Sequence, residues 1–181
     1  MTVLRADAKR NLDRILEAAS DAFADAGPDV TIDEIARRAG VGHGTVFRRF
    51  PTKNALRAAV IAKRLDELVA RARDLLGADD PGAALEEFVW FAAEVTRRDR
   101  ALFEGVEQCG DFVDVSEAKE ELHGVLDKLI RRAIRAGAIR RGLDAQDIGA
   151  LVGSAIKASE HAERPDAWKR YVRVVLDGIR A

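Results

Sequence analysis

The chain has 181 residues, of which 48% are apolar, and a formal net charge of −1. This length allows one or two small domains, and this apolar content is enough to bury a core, which excludes a disordered chain. The apolar runs are short and interrupted by charge, which excludes a membrane span, and residues 1–10 lack the apolar segment of a secretory signal. The single cysteine, Cys109, cannot form an internal disulfide, so we expect a cytoplasmic protein.

Positive charge is concentrated in one part of the chain. Residues 37–57 contain six basic side chains and no acidic one. In a nearly neutral chain such asymmetry indicates a surface for a polyanion, although a solvated basic surface is the alternative. The six residues are Arg37, Arg38, Arg48, Arg49, Lys53 and Arg57.

The spacing of apolar residues predicts an all-α fold. Apolar side chains recur at intervals of three and four along almost the whole chain, and the alternation typical of strands is missing. The first helix carries an apolar stripe from Leu12 to Ala26 and is expected to stop at Gly27. Thr31 and Glu34 have the spacing of a capping box, which predicts the start of a second, short helix.

A third helix is expected to follow immediately after Gly40, where the second ends. Two short helices joined by a tight glycine turn, the second with polar and basic residues, form the helix-turn-helix arrangement. We expect Val46, Phe47 and Phe50 to face the core of this small domain together with Phe23, because so small a domain needs large apolar side chains.

The rest of the chain is expected to form a helical bundle. A long helix is predicted up to about Leu76, and a short irregular segment from Arg100 to Phe112. The predicted helix starts are Thr52, Asp80, Ser116, Asp144 and Pro165.

Residues 31–56 resemble the tetracycline-repressor-like (TetR) family of regulators. The matching residues are Thr31-Ile32-Asp33-Glu34-Ile35-Ala36, Ala39-Gly40-Val41, Gly44-Thr45-Val46-Phe47-Arg48-Arg49-Phe50, Lys53 and Ala55-Leu56, with Ile15-Leu16-Glu17-Ala18-Ala19 and Phe23 in the first helix. The resemblance implies a helix-turn-helix DNA-binding domain at residues 1–56 and an effector-binding and dimerisation domain at residues 57–181. Phe47 and His43 stand where the family often has Tyr and Lys, so a ring hydroxyl and some positive charge are missing here.

This resemblance, with the local charge, predicts a DNA-binding surface. We expect Thr45 and Arg48 to read base edges, Arg49 and Lys53 to bind phosphates, and Gly44 to let the backbone approach DNA closely. The complete predicted set is Thr31, His43, Gly44, Thr45, Phe47, Arg48, Arg49 and Lys53. The alternative for any one of them is an ordinary solvated charge or turn residue.

The resemblance also implies an effector cavity lined by apolar side chains with a few polar anchors. The predicted apolar residues are Trp90, Phe91, Phe103, Phe112 and Leu126, and the predicted polar ones are Glu94, Glu107, Cys109 and His123. Plain core packing is the alternative for the aromatic residues. No metal or cofactor is predicted, because the spacing of Cys109, Asp111, Asp114 and His123 fits no standard zinc site; Glu160 and His161 form only a loose pair, and Cys109 stays open as a redox sensor.

The last two helices are expected to pair with their copies in a second subunit, as the resemblance implies. The predicted dimerisation residues are Ile148, Leu151, Val152, Ala155, Ile156, Trp168, Val172, Val175 and Leu176. A two-fold dimer would hold two reading helices about 34–36 Å apart, one turn of DNA. The alternative is that these faces complete a monomeric bundle.

Taken together, these features predict a ligand-responsive repressor that a small-molecule effector releases from operator DNA. The long helix after Thr52 is the expected mechanical link, because it touches both halves of the chain. The predicted partners are operator DNA, an effector of unknown identity and a second copy of the chain, with no membrane. The alternative is a helical protein-interaction adaptor that keeps the helix-turn-helix only as a fold, and an enzyme is not expected because no polar catalytic constellation is found.

Overall fold

The computed structural model describes residues 2–103 and 112–181, which form nine α-helices and no strand. The helices are α1 (Thr2–Ala26), α2 (Ile32–Ala39), α3 (His43–Arg49), α4 (Lys53–Leu75), α5 (Pro81–Arg98), α6 (Arg100–Phe103), α7 (Val113–Arg135), α8 (Ala145–Ser159) and α9 (Ala167–Ile179). The all-α fold predicted from the apolar spacing is confirmed. Within the described ranges, no helix combines the length and apolar character needed to cross a membrane.

The chain divides into two compact units. The first contains α1, α2, α3, the part of α4 up to Arg64, α6 and the first turn of α7. The second contains α4 from Leu65, α5 up to Arg98, α7 from Ala118, α8 and α9. The functional boundary after residue 56 stays a prediction.

The first unit is built on the apolar stripe of α1. Ile15, Ala19 and Phe23 are buried, and so are Ile35 of α2 and Val46 of α3. α1 packs against α2, and α2 packs against α3. Each fully buried side chain of this size contributes about 1.5–3 kcal/mol, which lets a two-turn helix such as α3 persist although it would be unstable alone.

Local capping interactions define both ends of α2. Thr31 Oγ1 accepts a hydrogen bond from the Glu34 backbone N–H at 3.2 Å, so α2 begins where the sequence predicts. The prediction of a complete capping box is wrong. The Glu34 carboxylate does not bind back to the Thr31 backbone, because it accepts hydrogen bonds from Arg37 and Arg38 instead. α2 ends at Gly40, whose φ of 65° lies in the left-handed region that glycine adopts without strain.

Most predicted helix starts are confirmed by hydrogen bonds to the first turn. Thr52 Oγ1 accepts from the Ala55 backbone at 3.0 Å, and the Asp80 carboxylate accepts from two backbone N–H groups of α5. Asp144 forms a complete capping box at the start of α8.

Two predicted starts are wrong. Ser116 does not cap α7, because its backbone N–H already donates to the Phe112 carbonyl oxygen inside the first turn and the helix begins at Val113. α9 begins at Ala167 rather than at Pro165, because residues 165–166 form a turn before the helix. Part of the segment predicted to be irregular forms α6, and residues 104–111 lie outside the described residues.

The second unit has its core between α5, α8 and α9. α8 packs against α9 and α5, with Phe88, Ile148, Val152 and Val172 buried at these contacts. Arg132 of α7 donates hydrogen bonds to the carbonyl oxygens of Leu76 and Ala78, which follow the end of α4. A cation at this position satisfies carbonyl groups that a helix end leaves without partners.

Candidate nucleic-acid interface

α3 presents three strips of side chains to solvent. Val46 on α3 and Phe50 just after it are buried against the first unit. At about 100° per residue, Arg48 and Gly44 lie roughly opposite these two apolar anchors. His43 and Phe47 form one flank of the exposed face, and Thr45 and Arg49 form the other.

Two of the six basic residues are neutralised within the fold. Arg37 Nε donates to Glu34 at 2.9 Å, and Arg38 donates to Glu34 at 2.8 Å and to Asp25 at 2.7 Å. Hydrogen bonds from both guanidinium groups lower the pKa of Glu34 from 4.5 to about 2. These pairs hold Arg37 and Arg38 on carboxylates of the first unit, so the predicted basic surface is smaller than the sequence indicates.

The remaining cations differ in burial. Arg57 is buried, and its guanidinium donates to the Leu102 carbonyl oxygen at 3.2 Å. Lys53 is half-buried in the first turn of α4. Arg48 and Arg49 are exposed, and neither has a hydrogen bond or ion pair with another described residue. Their guanidinium groups are therefore available to an external anion.

The prediction that Phe47 lies in the core is wrong. Its side chain is 51% exposed. The ring stacks on the His43 imidazole, with 6.0 Å between ring centroids and 14° between planes. His43 Nδ1 lies 2.5 Å from Asp33 Oδ1 of α2, so the imidazole is tied to the preceding helix. Val46 and Phe50 already occupy the inward direction of this short helix, which leaves no buried position for a third apolar side chain.

The other flank of α3 borders a groove in the first unit. Thr45 and Arg49 line a cavity of about 450 Å³ together with Lys9 and Asn11 of α1. Lys9 lies outside the basic segment of residues 37–57 and was not predicted, because only the packing of α1 brings it beside α3.

Thr31 and Gly44 complete the predicted interface set. Thr31 is exposed at the start of α2, with its hydroxyl engaged as the helix cap. Apart from its chain neighbours and the backbone of α3, no described heavy atom would lie within 4 Å of a Cβ on Gly44, so packing against other described elements does not require glycine there. The role of each residue in DNA binding stays a prediction.

Neither of two cavities in the described part of the second unit is lined by the predicted effector residues. Trp90 packs against Trp168 of α9 at 6.1 Å between ring centroids, and its indole N–H donates to Glu86 at 3.4 Å. Glu94 accepts a hydrogen bond from Arg97 at 2.6 Å. The two described cavities of this unit, of about 370 and 330 Å³, are lined by residues 162–171 and by residues near the start of α5 and the end of α9.

The other predicted effector residues have varied surroundings. Phe91 is half-buried, Leu126 is buried and His123 is exposed in the second unit, and Phe112 is half-buried in the first. Residues Glu107 and Cys109 lie outside the described residues, as do Asp111 and the side chain of Phe103. Among the described residues, no group of three or more potential metal ligands is found. The assignment of an effector site therefore stays a prediction.

The predicted dimerisation residues differ in their burial within the chain. Seven of the nine predicted residues are buried within the chain itself: Ile148, Val152, Ala155, Ile156, Trp168, Val172 and Leu176. Leu151 of α8 is 39% exposed, and Val174 of α9, which was not predicted, is 65% exposed. The predicted set therefore combines residues that are buried within the unit with residues at its surface, and their role in dimerisation stays a prediction.

A buried polar cluster in the first unit escaped the sequence analysis. Ser20 of α1 donates to Asp99 at 2.6 Å, Arg64 of α4 donates to Ser20 at 2.9 Å, and Arg64 Nε lies 2.8 Å from Asp99 Oδ2. All three side chains are buried. The one signal in the sequence is a serine within the apolar stripe of α1.

The short α2 and α3 with their glycine turn, and the exposed arginines of α3, define a helix-turn-helix protein. The family model for bacterial regulatory proteins of the tetR family matches residues 15–60. The model for the C-terminal domain of SbtR-like transcriptional regulators matches residues 80–181. Since this second match alone covers more than half of the chain, the protein belongs to the TetR family of transcriptional regulators.

Individual relatives agree with this family. The TetR transcription regulatory protein from Mycobacterium vanbaalenii is 41% identical over 98% of this chain and 99% of its own, with a TM-score of 0.74. The HTH-type transcriptional repressor Rv3405c of Mycobacterium tuberculosis is 45% identical over 73 residues, which are 40% of this chain and only 37% of the repressor. The transcriptional regulator FadR from Bacillus subtilis, solved in complex with stearoyl-CoA, shares the fold at 18% identity, with a TM-score of 0.69 over 91% of this chain and 95% of its own.

Proposed function

We propose that this regulator is a repressor that binds operator DNA through α3 and is released by a small-molecule effector bound by its C-terminal helices. In this proposal Arg48 reads base edges, while Arg49 and Lys53 bind phosphate groups of the DNA backbone. The protein acts as a homodimer in the cytoplasm, where its DNA is. It is a binding protein, and no catalytic step is assigned to it.

The observation that supports DNA binding most strongly is the exposed, unpaired state of Arg48 and Arg49 described above. An arginine in the major groove can donate two hydrogen bonds to guanine, which gives about 1–3 kcal/mol of discrimination. Lys53 adds charge beside the N-terminal turn of α4, where backbone N–H groups favour an anion. This surface is chemically suited to a phosphate backbone and base edges together.

Release by an effector is supported by the family and by the course of α4. This helix contributes residues to both compact units, so an effector that favours one position of α4 would also bias α3. The effector can shift the balance only by its difference in affinity for the two states. The Bacillus subtilis regulator bound to stearoyl-CoA illustrates that a protein of this fold binds an acyl thioester, which makes that compound a reasonable first probe.

The test is fluorescence anisotropy of the full chain with duplex fragments from the region upstream of its own gene. We expect Arg48→Ala to lose more preference for specific over random duplex than total affinity. Lys53→Ala should weaken binding to all sequences and flatten the slope of log affinity against log salt by about one unit. Arg37→Ala is the matched control, because its guanidinium is already paired with Glu34.

Two results would contradict the proposal at different points. Failure of the wild-type protein to bind any duplex at low ionic strength would remove the DNA-binding function and favour the adaptor alternative. An effector that tightens DNA binding instead of releasing it would reverse the direction of control and leave DNA binding intact.

A further inference from the structure

The exposed ring of Phe47 is not part of the core of the first unit. Of the large apolar side chains that are exposed in the described part of the chain, Phe47 is the only aromatic one. It lies on α3, next in sequence to the unpaired Arg48. A ring in this position has no hydrogen-bonding group, so it cannot bind a phosphate or a polar base edge as an arginine does.

The Phe47 ring packs against the His43 imidazole of the same helix. It stacks on His43, one helical turn earlier, and the His43 imidazole is tied to the Asp33 carboxylate at 2.5 Å. We refer to His43 and Phe47 as the aromatic flank of α3. Because this stacking restricts the ring on one side, less conformational entropy is lost when a ligand covers it than for a ring without a neighbour.

Charge determines which part of a DNA duplex this flank can approach. The Asp33 carboxylate is exposed beside His43 and repels a phosphate. Arg49, on the other flank of α3, attracts phosphates. With α3 in the major groove, the aromatic flank is therefore better placed against base edges than against the backbone.

We propose that Phe47 contacts the C5-methyl group of a thymine and so contributes to sequence specificity. Among the base edges of the major groove this methyl is the one apolar group, and phenylalanine is among the side chains that contact it. The inference rests on the proposed DNA-binding function and assigns a base preference to a residue that hydrogen-bonding arguments overlook. His43 acts by orienting the ring rather than by reading a base.

The experiment replaces thymine by deoxyuridine, which keeps base pairing and removes only the methyl group. The duplex is one that the full-length wild-type protein selects from a random library, and each thymine is substituted in turn. We expect at least one substitution to weaken wild-type binding by about fourfold, the effect of exposing one buried methyl group. Phe47→Ala should bind the original duplex more weakly and show no further loss at that substitution.

Further variants separate the contact from a general loss of binding. Phe47→Leu keeps an apolar side chain and should retain part of the sensitivity to the methyl group. Val113→Ala removes a similarly exposed apolar side chain (66% exposed) from α7 and should respond to deoxyuridine as the wild type does. Circular dichroism and thermal unfolding check that each variant is folded.

The outcomes distinguish this inference from the function on which it rests. If the wild type selects no duplex, the proposed DNA-binding function fails. If it selects a duplex whose thymine methyl groups have no effect, or if Phe47→Ala keeps the full sensitivity to deoxyuridine, the assignment of Phe47 to a thymine is overturned while DNA binding stands.

Discussion

At the scale of single residues, Glu34 controls how much positive charge α2 presents. Its carboxylate accepts hydrogen bonds from Arg37 and Arg38, and its own backbone N–H donates to the Thr31 cap. The carboxylate also lies in the first turn of α2, where negative charge is favourable. Glu34 therefore ties two arginines to the fold while it stabilises the helix start.

This arrangement predicts a specific dependence of stability on pH. The pKa of Glu34 is lowered from 4.5 to about 2 in the folded protein, so its ion pairs stabilise the fold above about pH 4.5 and are lost as the pH falls toward 2. We expect the urea midpoint of Glu34→Gln to lie below that of the wild type at pH 6, and the difference to shrink steadily toward pH 2. Unfolding followed by circular dichroism at several pH values measures it.

The control for this prediction is Glu117→Gln, which removes one carboxylate from an exposed position on α7. Its midpoint should follow the wild type across the same pH range. A constant difference between Glu34→Gln and the wild type from pH 6 to pH 2 would mean that the arginine pairs contribute nothing to stability.

The spacing of apolar residues alone could not predict which side chains of α3 are buried. Val46, Phe47 and Phe50 are all apolar, and a seven-residue helix is too short for periodicity to decide which of them point inward. Packing against the rest of the first unit decides it, with Val46 and Phe50 buried and Phe47 exposed. The prediction of exposed arginines on this helix did not depend on that choice.

At the scale of elements, the buried cluster of Ser20, Arg64 and Asp99 joins α1, α4 and the junction between α5 and α6. Each side chain comes from a different part of the sequence, and Ser20 and Asp99 are 79 residues apart. A buried ion pair is retained only when further hydrogen bonds satisfy it, and Ser20 supplies one to each partner. α6 also packs against α1, so the cluster anchors this junction inside the first unit.

We expect Asp99→Ala to lower the free energy of unfolding by about 3–5 kcal/mol, because it removes the buried carboxylate 2.8 Å from the Arg64 guanidinium and leaves only the more distant, half-exposed Glu17 carboxylate at 3.6 Å. Urea unfolding at a fixed protein concentration measures this loss. Arg71→Ala is the matched control, since Arg71 joins α4 to Glu87 of α5 through a more exposed pair that shares no residue with the cluster and should cost at most about 1 kcal/mol.

A second variant tests whether the loss comes from a buried guanidinium that has lost its nearer carboxylate. Replacing both partners, as Arg64→Met with Asp99→Leu, should recover much of the stability, because apolar side chains of similar size often substitute for a buried ion pair. If the double variant is less stable than Asp99→Ala, an uncompensated charge does not explain the loss. The hydrogen bonds and the ion pair of the cluster would then themselves stabilise the fold.

Helix starts were predictable where the capping residue binds backbone groups only a few residues ahead. Contacts between segments distant in sequence were not predictable in this way. Thr31, Thr52 and Asp144 bind backbone groups three residues ahead, so a short sequence pattern contains the whole interaction. Ser116 has the same residue type as a good cap but lies inside α7, which starts a turn earlier. The buried cluster had no local pattern at all, because contacts between distant segments create it.

At the scale of the whole molecule, the prediction of a dimer depends on the side chains that the fold leaves uncovered. Most of the apolar residues of α8 and α9 are buried within the second unit. The apolar pattern of the sequence therefore does not separate residues that pack within the unit from residues available to a second subunit. Leu151 and Val174 remain exposed, one on each helix. A two-fold interface uses the same surface on both subunits, so each exposed residue would contribute twice.

We expect Leu151→Glu combined with Val174→Glu to convert a dimer into a monomer, because four carboxylates would face one another in an apolar interface. Sedimentation velocity measures the change in mass. A monomer cannot hold two reading helices one turn of DNA apart, so its affinity for a two-half-site operator should fall much more than its affinity for a single half-site. Val113→Glu, which adds the same charge at an equally exposed valine of α7, should leave both mass and operator binding unchanged. A double variant that sediments as a dimer, as the wild type is expected to, would place the subunit contact elsewhere. If the wild-type protein is itself a monomer, it lacks the pair of reading helices on which recognition of two half-sites depends.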